Sequence, residues 1–391
     1  MNLGIYIQVP FCRTKCTYCN FHTGVFSKGL YSPYADAVIR EIGEHGRFYR
    51  AAGLTPQDAQ GCTANLVVDT VYIGGGTPSL FDPAVLARML EALRRSFTCA
   101  FEEITLEADP ETITPEKASA WRAAGINRVS LGSQSFVDRE LAAAGRLHRR
   151  EDIHRAAKTL RDAGLHNFSF DLIAGLPHQT ADSWQFSLDE LCSLAPEHVS
   201  VYMLEIDEGS RLGRESMAGG SRYSVPALPG DDDAAAFYER ACHQLASAGY
   251  EHYEISNWAR PGKHSLHNLK YWQRKPYLGL GAGAHSFDGV QRWANAHDLA
   301  EYLAAITSGR LPVEQRETVS PQQALDEELF LGLRLLDGID VASIETRYNV
   351  ELRSRIAGLI EQGLVERQGD RLRLAPERLA VSNEVFVELM S

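Results

Sequence analysis

Short apolar segments alternate with amphipathic ones through the first half of the chain. Residues 83–97, 115–125 and 150–164 carry apolar positions at helical spacing, and the last two of these segments end in glycine, which is typical of a helix C-terminus. Between and around them, six apolar runs rich in β-branched residues predict strands: residues 4–9, 69–73, 103–108, 128–133, 168–177 and 198–206. This alternation predicts an α/β fold with a parallel sheet and right-handed crossovers. The pattern leaves a doubly wound sheet and a barrel both open.

The pattern changes in the second half. Residues 217–233 are rich in Gly, Pro and Ser, which predicts a linker or mobile loop that ends the sheet domain. Further on, GLVERQGDRLRL predicts a two-stranded wing around Gly369 and Asp370. Short helical segments precede the wing: residues 322–336, 341–348 and 352–362. The C-terminal region therefore resembles a winged helix.

Charge argues against nucleic acid as a partner. The net charge is −12, and residues 321–391 hold eight arginines, no lysine and thirteen acidic residues. Nucleic-acid binders carry a basic face, so the winged-helix pattern does not predict DNA binding here. The chain has no apolar run long enough for a membrane helix, and its first residues lack the features of a signal peptide. We therefore expect a cytoplasmic protein without a membrane anchor of its own.

Three cysteines stand close together in the stretch VPFCRTKCTYCNF. Cys12, Cys16 and Cys19 follow the first predicted strand with the spacing C-x3-C-x2-C, and the other four cysteines are scattered singly. Thiolate is a soft ligand for zinc and for iron–sulfur clusters, and three at this spacing can converge on one centre. A [4Fe-4S] cluster with three cysteine ligands keeps one iron open to a small molecule. A structural zinc site needs a fourth protein ligand, which His22 could supply, so both kinds of site stay open at this point.

The triplet, with Tyr18 before its last cysteine, resembles the motif of the radical S-adenosylmethionine (SAM) superfamily. Further motifs of that superfamily follow in order at the ends of successive predicted strands. The resemblance implies a partial, six-stranded (β/α)6 barrel with its site at the carboxyl ends of the strands. It also implies that Cys12, Cys16 and Cys19 hold a [4Fe-4S] cluster whose open iron binds the methionine part of SAM.

The same resemblance assigns further residues to SAM. The glycines of GGGTP, residues 74–78, are expected to let backbone N–H groups approach the amino acid part of the cofactor. Glu107 is expected to accept a hydrogen bond from the amino group or the ribose. The implied SAM contacts are Tyr6, Tyr18, Gly75, Gly76, Thr77, Glu107, Gln134, Arg146 and Asp171.

Residues 252–287 resemble one branch of the superfamily, the oxygen-independent coproporphyrinogen III oxidases and the heme chaperones related to them. The chaperones of that branch use an H-N-x-x-Y-W motif for heme, and imidazole and aromatic side chains suit a porphyrin and its iron. Without the resemblance, the histidine of this motif would be interpreted as a hydrogen-bonded core or surface residue, and His264 and His285 are its nearest rivals as ligands. The run LGLGAGA is expected to let the backbone pass close to the cofactor site. The implied heme-binding residues are His267, Asn268, Tyr271 and Trp272.

Two features favour a heme chaperone over an oxidase. The oxidases have an additional cysteine where this chain has Phe21, and they carry a substantial N-terminal segment, whereas the first predicted strand here begins almost at Met1. We expect a protein that binds the cluster, SAM and heme and hands heme to an apo-hemoprotein, plausibly a membrane-bound one of the respiratory chain. The alternatives are anaerobic oxidative decarboxylation of coproporphyrinogen III, and a radical methyltransferase or heme-degrading activity. Productive cleavage of SAM, the mode of heme attachment and a homodimer stay open.

Three domains follow from these assignments. Residues 1–225 are predicted to form the radical SAM partial barrel with its cluster. Residues 226–315 are predicted to be a linker and heme-motif region that completes the site, and residues 316–391 a helical, winged-helix-like domain.

Overall fold

A computed structural model describes residues 2–51 and 66–390, so Cys62 lies outside the described residues. The six predicted strands are present and pair in parallel in chain order. They are β1 (Asn2–Val9), β2 (Val67–Gly75), β3 (Thr98–Ala108), β4 (Arg128–Gln134), β5 (Phe168–Ala174) and β6 (His198–Met203). The helices between them are α1 (Tyr31–Ala51), α2 (Pro83–Ser96), α3 (Pro115–Ala124), α4 (Asp138–Ala143), α5 (Arg150–Asp162) and α6 (Ala181–Leu194). The predicted α/β fold with a parallel sheet is confirmed.

The sheet is larger than predicted, because six further strands extend it to twelve. The added elements are α7 (Arg211–Met217), α8 (Asp231–Ser247), β7 (Glu251–Glu254), β8 (Asn257–Ala259), α9 (Leu266–Trp272), β9 (Tyr277–Leu280), β10 (His285–Phe287), β11 (Gln291–Asn295), α10 (Leu299–Thr307) and β12 (Val313–Thr318). Strand β9 lies parallel to β1, and β8 lies antiparallel to β6. Among the described residues the sheet ends in β12 on one side and β7 on the other, as expected of a partial barrel.

The segment predicted as a linker or mobile loop is largely structured. Residue 217 ends α7, residues 222–227 form a 3-10 turn, and residues 231–233 begin the long helix α8. The three aspartates at the start of α8 lie where negative charge interacts favourably with the helix dipole. The prediction of a linker or mobile loop is therefore wrong for residues 231–233, because an acidic first turn of a helix resembles a polar loop when it is judged by composition alone.

The C-terminal region has its own small sheet, in the order β13-β15-β14, and its hairpin turns at residues 369–370 as predicted. Its elements are α11 (Pro321–Leu333), β13 (Ile339–Asp340), α12 (Val341–Tyr348), α13 (Arg353–Glu361), β14 (Val365–Gln368), β15 (Arg371–Leu374) and α14 (Ser382–Met390). Helix α11 packs against α9, so this region lies beside the predicted heme motif.

The main core lies between the parallel strands and the helices that cover them. Strands β1 and β5 are buried along nearly their whole length, as expected for parallel strands with both faces covered. No helix among the described residues has both the length and the apolar character needed to cross a membrane.

Candidate functional site

The carboxyl ends of the parallel strands surround a cavity of about 400 Å³, which we call the first cavity. Loops that follow parallel strands meet at one edge of the sheet, which is why residues far apart in the sequence come together here. The predicted residues that line it are Cys12, Cys16, Tyr18, Cys19, Gly75, Gly76, Thr77, Glu107, Gln134, Arg146, Asp171 and Asn268.

Backbone hydrogen bonds hold the cysteine loop, residues 12–19, to the chain that follows it and to the end of α4. The Cys12 N–H donates to the carbonyl of Gly24 (2.9 Å), and the Thr17 N–H donates to the carbonyl of Ala144 (3.0 Å). The buried guanidinium of Arg146 donates a hydrogen bond to Cys16 Sγ (3.3 Å). Burial raises the pKa of Cys12 to about 11, so its thiol loses a proton only when a cation or a metal compensates the charge.

The three cysteines of the triplet lie together, apart from the candidate fourth zinc ligand. The three cysteines are free of disulfides and line the same cavity. Within residues 2–51 and 66–390, no set of three or more His, Cys, Asp or Glu side chains is arranged to hold a single metal ion. His22, the candidate fourth zinc ligand, lines a different cavity and packs its ring against His297.

The glycine loop after β2 lies tightly against the cysteine loop. A side chain at Gly76 would place its Cβ 2.5 Å from the Phe11 carbonyl oxygen and 3.0 Å from Cys12 Sγ. The Gly76 and Thr77 N–H groups donate to the carbonyls of Val9 (2.7 Å) and Phe11 (2.8 Å). These two N–H groups are therefore engaged within the protein, and the lack of a side chain at Gly76 allows the two loops to approach closely. The expected approach of backbone N–H groups to the amino acid part of SAM stays a prediction.

Two buried carboxyl groups face the first cavity. Glu107 accepts hydrogen bonds from the Tyr72 hydroxyl (2.8 Å) and the Gly75 N–H (2.9 Å), and burial raises its pKa to about 7. Burial also raises the pKa of Asp171, which accepts a hydrogen bond from Ser130 Oγ (3.1 Å). Both groups can accept from the amino or hydroxyl groups of a ligand in the cavity.

Two residues of this cavity were missed by the sequence analysis. Asp109 contacts Arg146 and accepts a hydrogen bond from Thr77 Oγ1 (3.0 Å), so it links the glycine loop to the guanidinium. Its position directly after a predicted strand could have identified Asp109 as a site residue. Arg128, the first residue of β4, is almost fully buried, and the sequence gave no sign of this because an arginine is normally exposed.

A second cavity of about 430 Å³ adjoins the first and shares Phe21, Tyr72, Gly75, Glu107 and Asn268 with it. Its remaining lining residues are Tyr6, Gln8, His22, Tyr271, Tyr277, Gly283, Ala284 and His285. Tyr6, predicted to contact SAM, lies here instead of in the first cavity, and its hydroxyl donates to Gln8 Oε1 (2.7 Å).

The glycine run LGLGAGA, residues 278–284, lies beside the second cavity, and two of its glycines serve close packing within the protein. A Cβ at Gly279 would lie 2.1 Å from the His285 carbonyl oxygen, and one at Gly281 would lie 2.4 Å from the Tyr34 hydroxyl. These glycines therefore allow strands and side chains of the protein to approach one another. Gly283 and Ala284 of this run line the cavity.

Helix α9 carries the H-N-x-x-Y-W motif, and its four residues face different surroundings. Asn268 and Tyr271 line the second cavity, whereas His267 and Trp272 line neither of the two. His267 is fully buried, with Nδ1 3.0 Å from Thr70 Oγ1 and Nε2 2.9 Å from the Tyr271 hydroxyl. Burial, followed by the charges of Lys270 and Arg128, lowers its pKa to about 3. His267 is thus a neutral imidazole with both nitrogens engaged, while the ring of Trp272 lies 4.4 Å from the Arg334 guanidinium.

The two rival histidines also differ. His264 stacks on Tyr253 with 4.3 Å between ring centroids and contacts Glu251 (3.2 Å), away from both cavities. His285 is exposed and lines the second cavity.

Comparison with known proteins identifies the family to which this chain belongs. The Radical SAM superfamily matches residues 6–191, and the HemN C-terminal domain matches residues 319–377. The chain is 35% identical to the heme chaperone HemW of Mycobacterium tuberculosis, over 99% of this chain and 94% of that protein. It is 31% identical to HemW of Bacillus subtilis, over 97% of each. The solved structure of coproporphyrinogen III oxidase (HemN) from Escherichia coli shares its fold, with a TM-score of 0.82, 22% identity and coverage of 100% of this chain and 90% of that one. The chain therefore belongs to the radical SAM superfamily and, within it, to the HemW family.

Proposed function

We propose that this protein is a heme chaperone that binds heme in the second cavity and transfers it to an apo-hemoprotein. The observation that carries the proposal is the extent of the similarity to relatives named heme chaperone HemW, which covers 99% of this chain in the Mycobacterium tuberculosis protein. The structure adds a second, aromatic cavity beside the first one, on whose wall two residues of the predicted heme motif lie.

Membership of the radical SAM superfamily implies a [4Fe-4S] cluster and SAM. We assign the cluster to Cys12, Cys16 and Cys19, with Arg146 donating a hydrogen bond to Cys16 Sγ. When bound, such a cluster offers one iron with an open coordination position. Around it, Glu107 and Asp171 would accept hydrogen bonds from SAM, and the glycine loop would leave room for it beside the cysteine loop.

The second cavity has the character that a porphyrin needs. Tyr271 and Tyr277 place aromatic side chains in its wall, and Phe21, which also lines it, is 66% exposed and gives an apolar approach from the surface. The wall shared with the first cavity, formed by Tyr72 and Glu107 among others, would bring heme next to the SAM site. A respiratory acceptor, a cytoplasmic location and a homodimer stay predictions.

The test is an anaerobic titration of ferric heme into the full chain with its cluster rebuilt, followed by absorbance. The expected result is saturable binding of one heme per chain, and transfer of that heme to an apo-form of a b-type cytochrome when the two are mixed. A folded, cluster-loaded protein that binds no heme would overturn the proposal. In that case, release of carbon dioxide from coproporphyrinogen III under reducing conditions with SAM would support the oxidase alternative.

A further inference from the structure

Three exposed histidines lie in the wall of the second cavity or against it, and we call them the histidine cluster: His22, His285 and His297. His22 follows the cysteine loop, His285 begins β10, and His297 follows β11. The rings of His22 and His297 pack edge to face with centroids 3.6 Å apart. His22 and His285 line the cavity.

The imidazoles of the histidine cluster are available as ligands. Within the described part of the chain, none of their ring nitrogens has a hydrogen-bond partner, in contrast to His267. Burial, and then the neighbouring histidines, lower the pKa of His22, while burial, Arg292 and His297 lower that of His285. Both are therefore neutral at neutral pH, which is the form of imidazole that binds a metal.

The ligand most consistent with this cluster is heme iron and not a bare metal ion. A bare ion needs three or four convergent ligands, and no such set is formed by His, Cys, Asp or Glu among the described residues. Heme iron already has four porphyrin nitrogens and needs only one or two axial ligands from the protein. The cavity behind the cluster provides the aromatic walls that the porphyrin face requires.

His267 is poorly placed for the same task. Its Nε2 is covered by the Tyr271 hydroxyl at 2.9 Å, and its Nδ1 is engaged by Thr70, so iron could reach it only after both the helix and Tyr271 had moved. Its hydrogen bond to Tyr271 fixes the orientation of a side chain that does line the cavity. This makes His267 a positioning residue.

We propose that the histidine cluster supplies the axial imidazole to heme iron bound in the second cavity, and that His267 acts only by orienting Tyr271. The proposal rests on heme binding as the function of this protein. It assigns the iron ligand to three segments outside the H-N-x-x-Y-W motif.

The test compares the cluster-loaded full chain with four variants in anaerobic heme titrations: the triple variant H22A/H285A/H297A, the single variant H285M, H267A, and H243A as a control at an exposed histidine on α8. We expect the triple variant to bind heme on the order of 10- to 100-fold more weakly, with the Soret band of imidazole-ligated heme lost and restored by free imidazole. H285M should shift the Soret band without a change in far-ultraviolet circular dichroism when His285 is the ligand, and an unchanged band in H285M with loss in the triple variant places the ligand at His22 or His297. H267A should keep the band of imidazole-ligated heme, and H243A should behave as wild type.

The failure of each proposal has a different signature. Wild-type protein that binds no heme would overturn the proposed function together with this inference. Wild-type binding that the triple variant retains with an unchanged Soret band would overturn the inference alone. Loss of imidazole ligation in H267A, in a protein that is still folded, would place the ligand at His267 and likewise overturn it.

Discussion

Single side chains set the chemistry of the first cavity. Arg146 is the clearest case, because its guanidinium reaches Cys16 Sγ (3.3 Å) and the Gly132 carbonyl (2.8 Å) and contacts Asp109. A planar guanidinium can donate hydrogen bonds to three acceptors in different directions, and a lysine ammonium on a flexible stem does this less well. The cysteine loop, β4 and the end of β3 are thus tied together by one residue.

Each cysteine of the triplet is expected to be required for the cluster. Replacement of Cys12, Cys16 or Cys19 by Ala should remove most of the iron and acid-labile sulfide from the rebuilt protein, because two thiolates do not hold a cubane securely. Cys192→Ala is the matched control, since Cys192 lies on α6 away from both cavities. Full iron content in any of the three triplet variants would contradict the assignment of that residue.

His252 should make stability fall at mildly acidic pH. Its ring stacks on Trp258 (4.0 Å between centroids), and burial lowers its pKa to about 4 from an ordinary 6.5. Between these two pKa values the unfolded chain binds more protons than the folded protein. The contribution of His252 to the free energy of unfolding is therefore complete above the ordinary pKa and is lost as pH falls through the pKa of the folded state. We would measure urea unfolding at about pH 7.5 and about pH 5.5. Between these pH values the free energy of unfolding should fall by about 1.4 kcal/mol more in wild type than in His252→Phe, which keeps the stacking. Equal losses in the two proteins would contradict this.

At the scale of elements, α9 is fixed to the sheet by buried charges. Glu103 accepts hydrogen bonds from the N–H groups of Leu266 (2.8 Å) and His267 (3.1 Å) at the start of the helix. Further along, Lys270 Nζ lies 2.8 Å from the carboxylate of Asp69 on β2, and both side chains are buried. The orientation of α9, and with it the position of Tyr271 on the cavity wall, depends on these contacts.

The Asp69–Lys270 pair should be strongly coupled. Asp69→Leu leaves a buried ammonium without its partner, which is expected to lower the free energy of unfolding by about 3–5 kcal/mol. The double variant Asp69→Leu/Lys270→Met removes both charges and should recover most of that loss, as chemical denaturation can measure. If the double variant is no more stable than Asp69→Leu, the ammonium is not the source of the loss.

The elements of the first cavity were predictable because each motif directly follows a strand of a parallel sheet. The cysteine triplet follows β1 and GGGTP follows β2, and parallel strands bring such positions together whatever lies between them. Strand β9 was missed because four residues carry too little periodicity to predict a strand. The environment of His267 was missed for another reason. Sequence shows that positions 267 and 271 share a face of a helix, but not whether that face meets a sheet or a cavity.

At the scale of the whole molecule, the C-terminal region is attached through the segments that flank the heme motif. The Ile255 N–H donates to the Arg334 carbonyl (3.0 Å), and the Arg334 guanidinium lies over the Trp272 ring. Glu327 on α11 binds Arg274 (2.8 Å) and Arg292 (2.9 Å). The tryptophan of the motif thus contacts the C-terminal region and not a cavity, so this region helps to set the position of α9.

Glu327→Gln should weaken this attachment. Burial opposes the charge of Glu327, but hydrogen bonds and charge interactions with Arg292 and Arg274 keep its pKa below the ordinary 4.5. Loss of the carboxylate leaves the largely buried Arg274 guanidinium without its anion, which we expect to cost about 1–3 kcal/mol of unfolding free energy at neutral pH. Because the folded pKa is depressed, this contribution is present above the ordinary pKa and is lost as pH falls below it, so the difference between wild type and variant should shrink in acid.

The measurement is urea unfolding followed by tryptophan fluorescence, with Glu361→Gln as the control. Glu361 is exposed at the end of α13 and forms no ion pair or hydrogen bond through its side chain with any of the described residues. Its replacement removes the same charge from the same region and should change stability by less than about 0.5 kcal/mol. Equal effects of the two substitutions would mean that net charge, and not the contact of Glu327 with the heme-motif segment, governs the stability of the C-terminal region. A loss confined to Glu327→Gln would instead tie the stability of that region to the segment that carries Tyr271 to the second cavity.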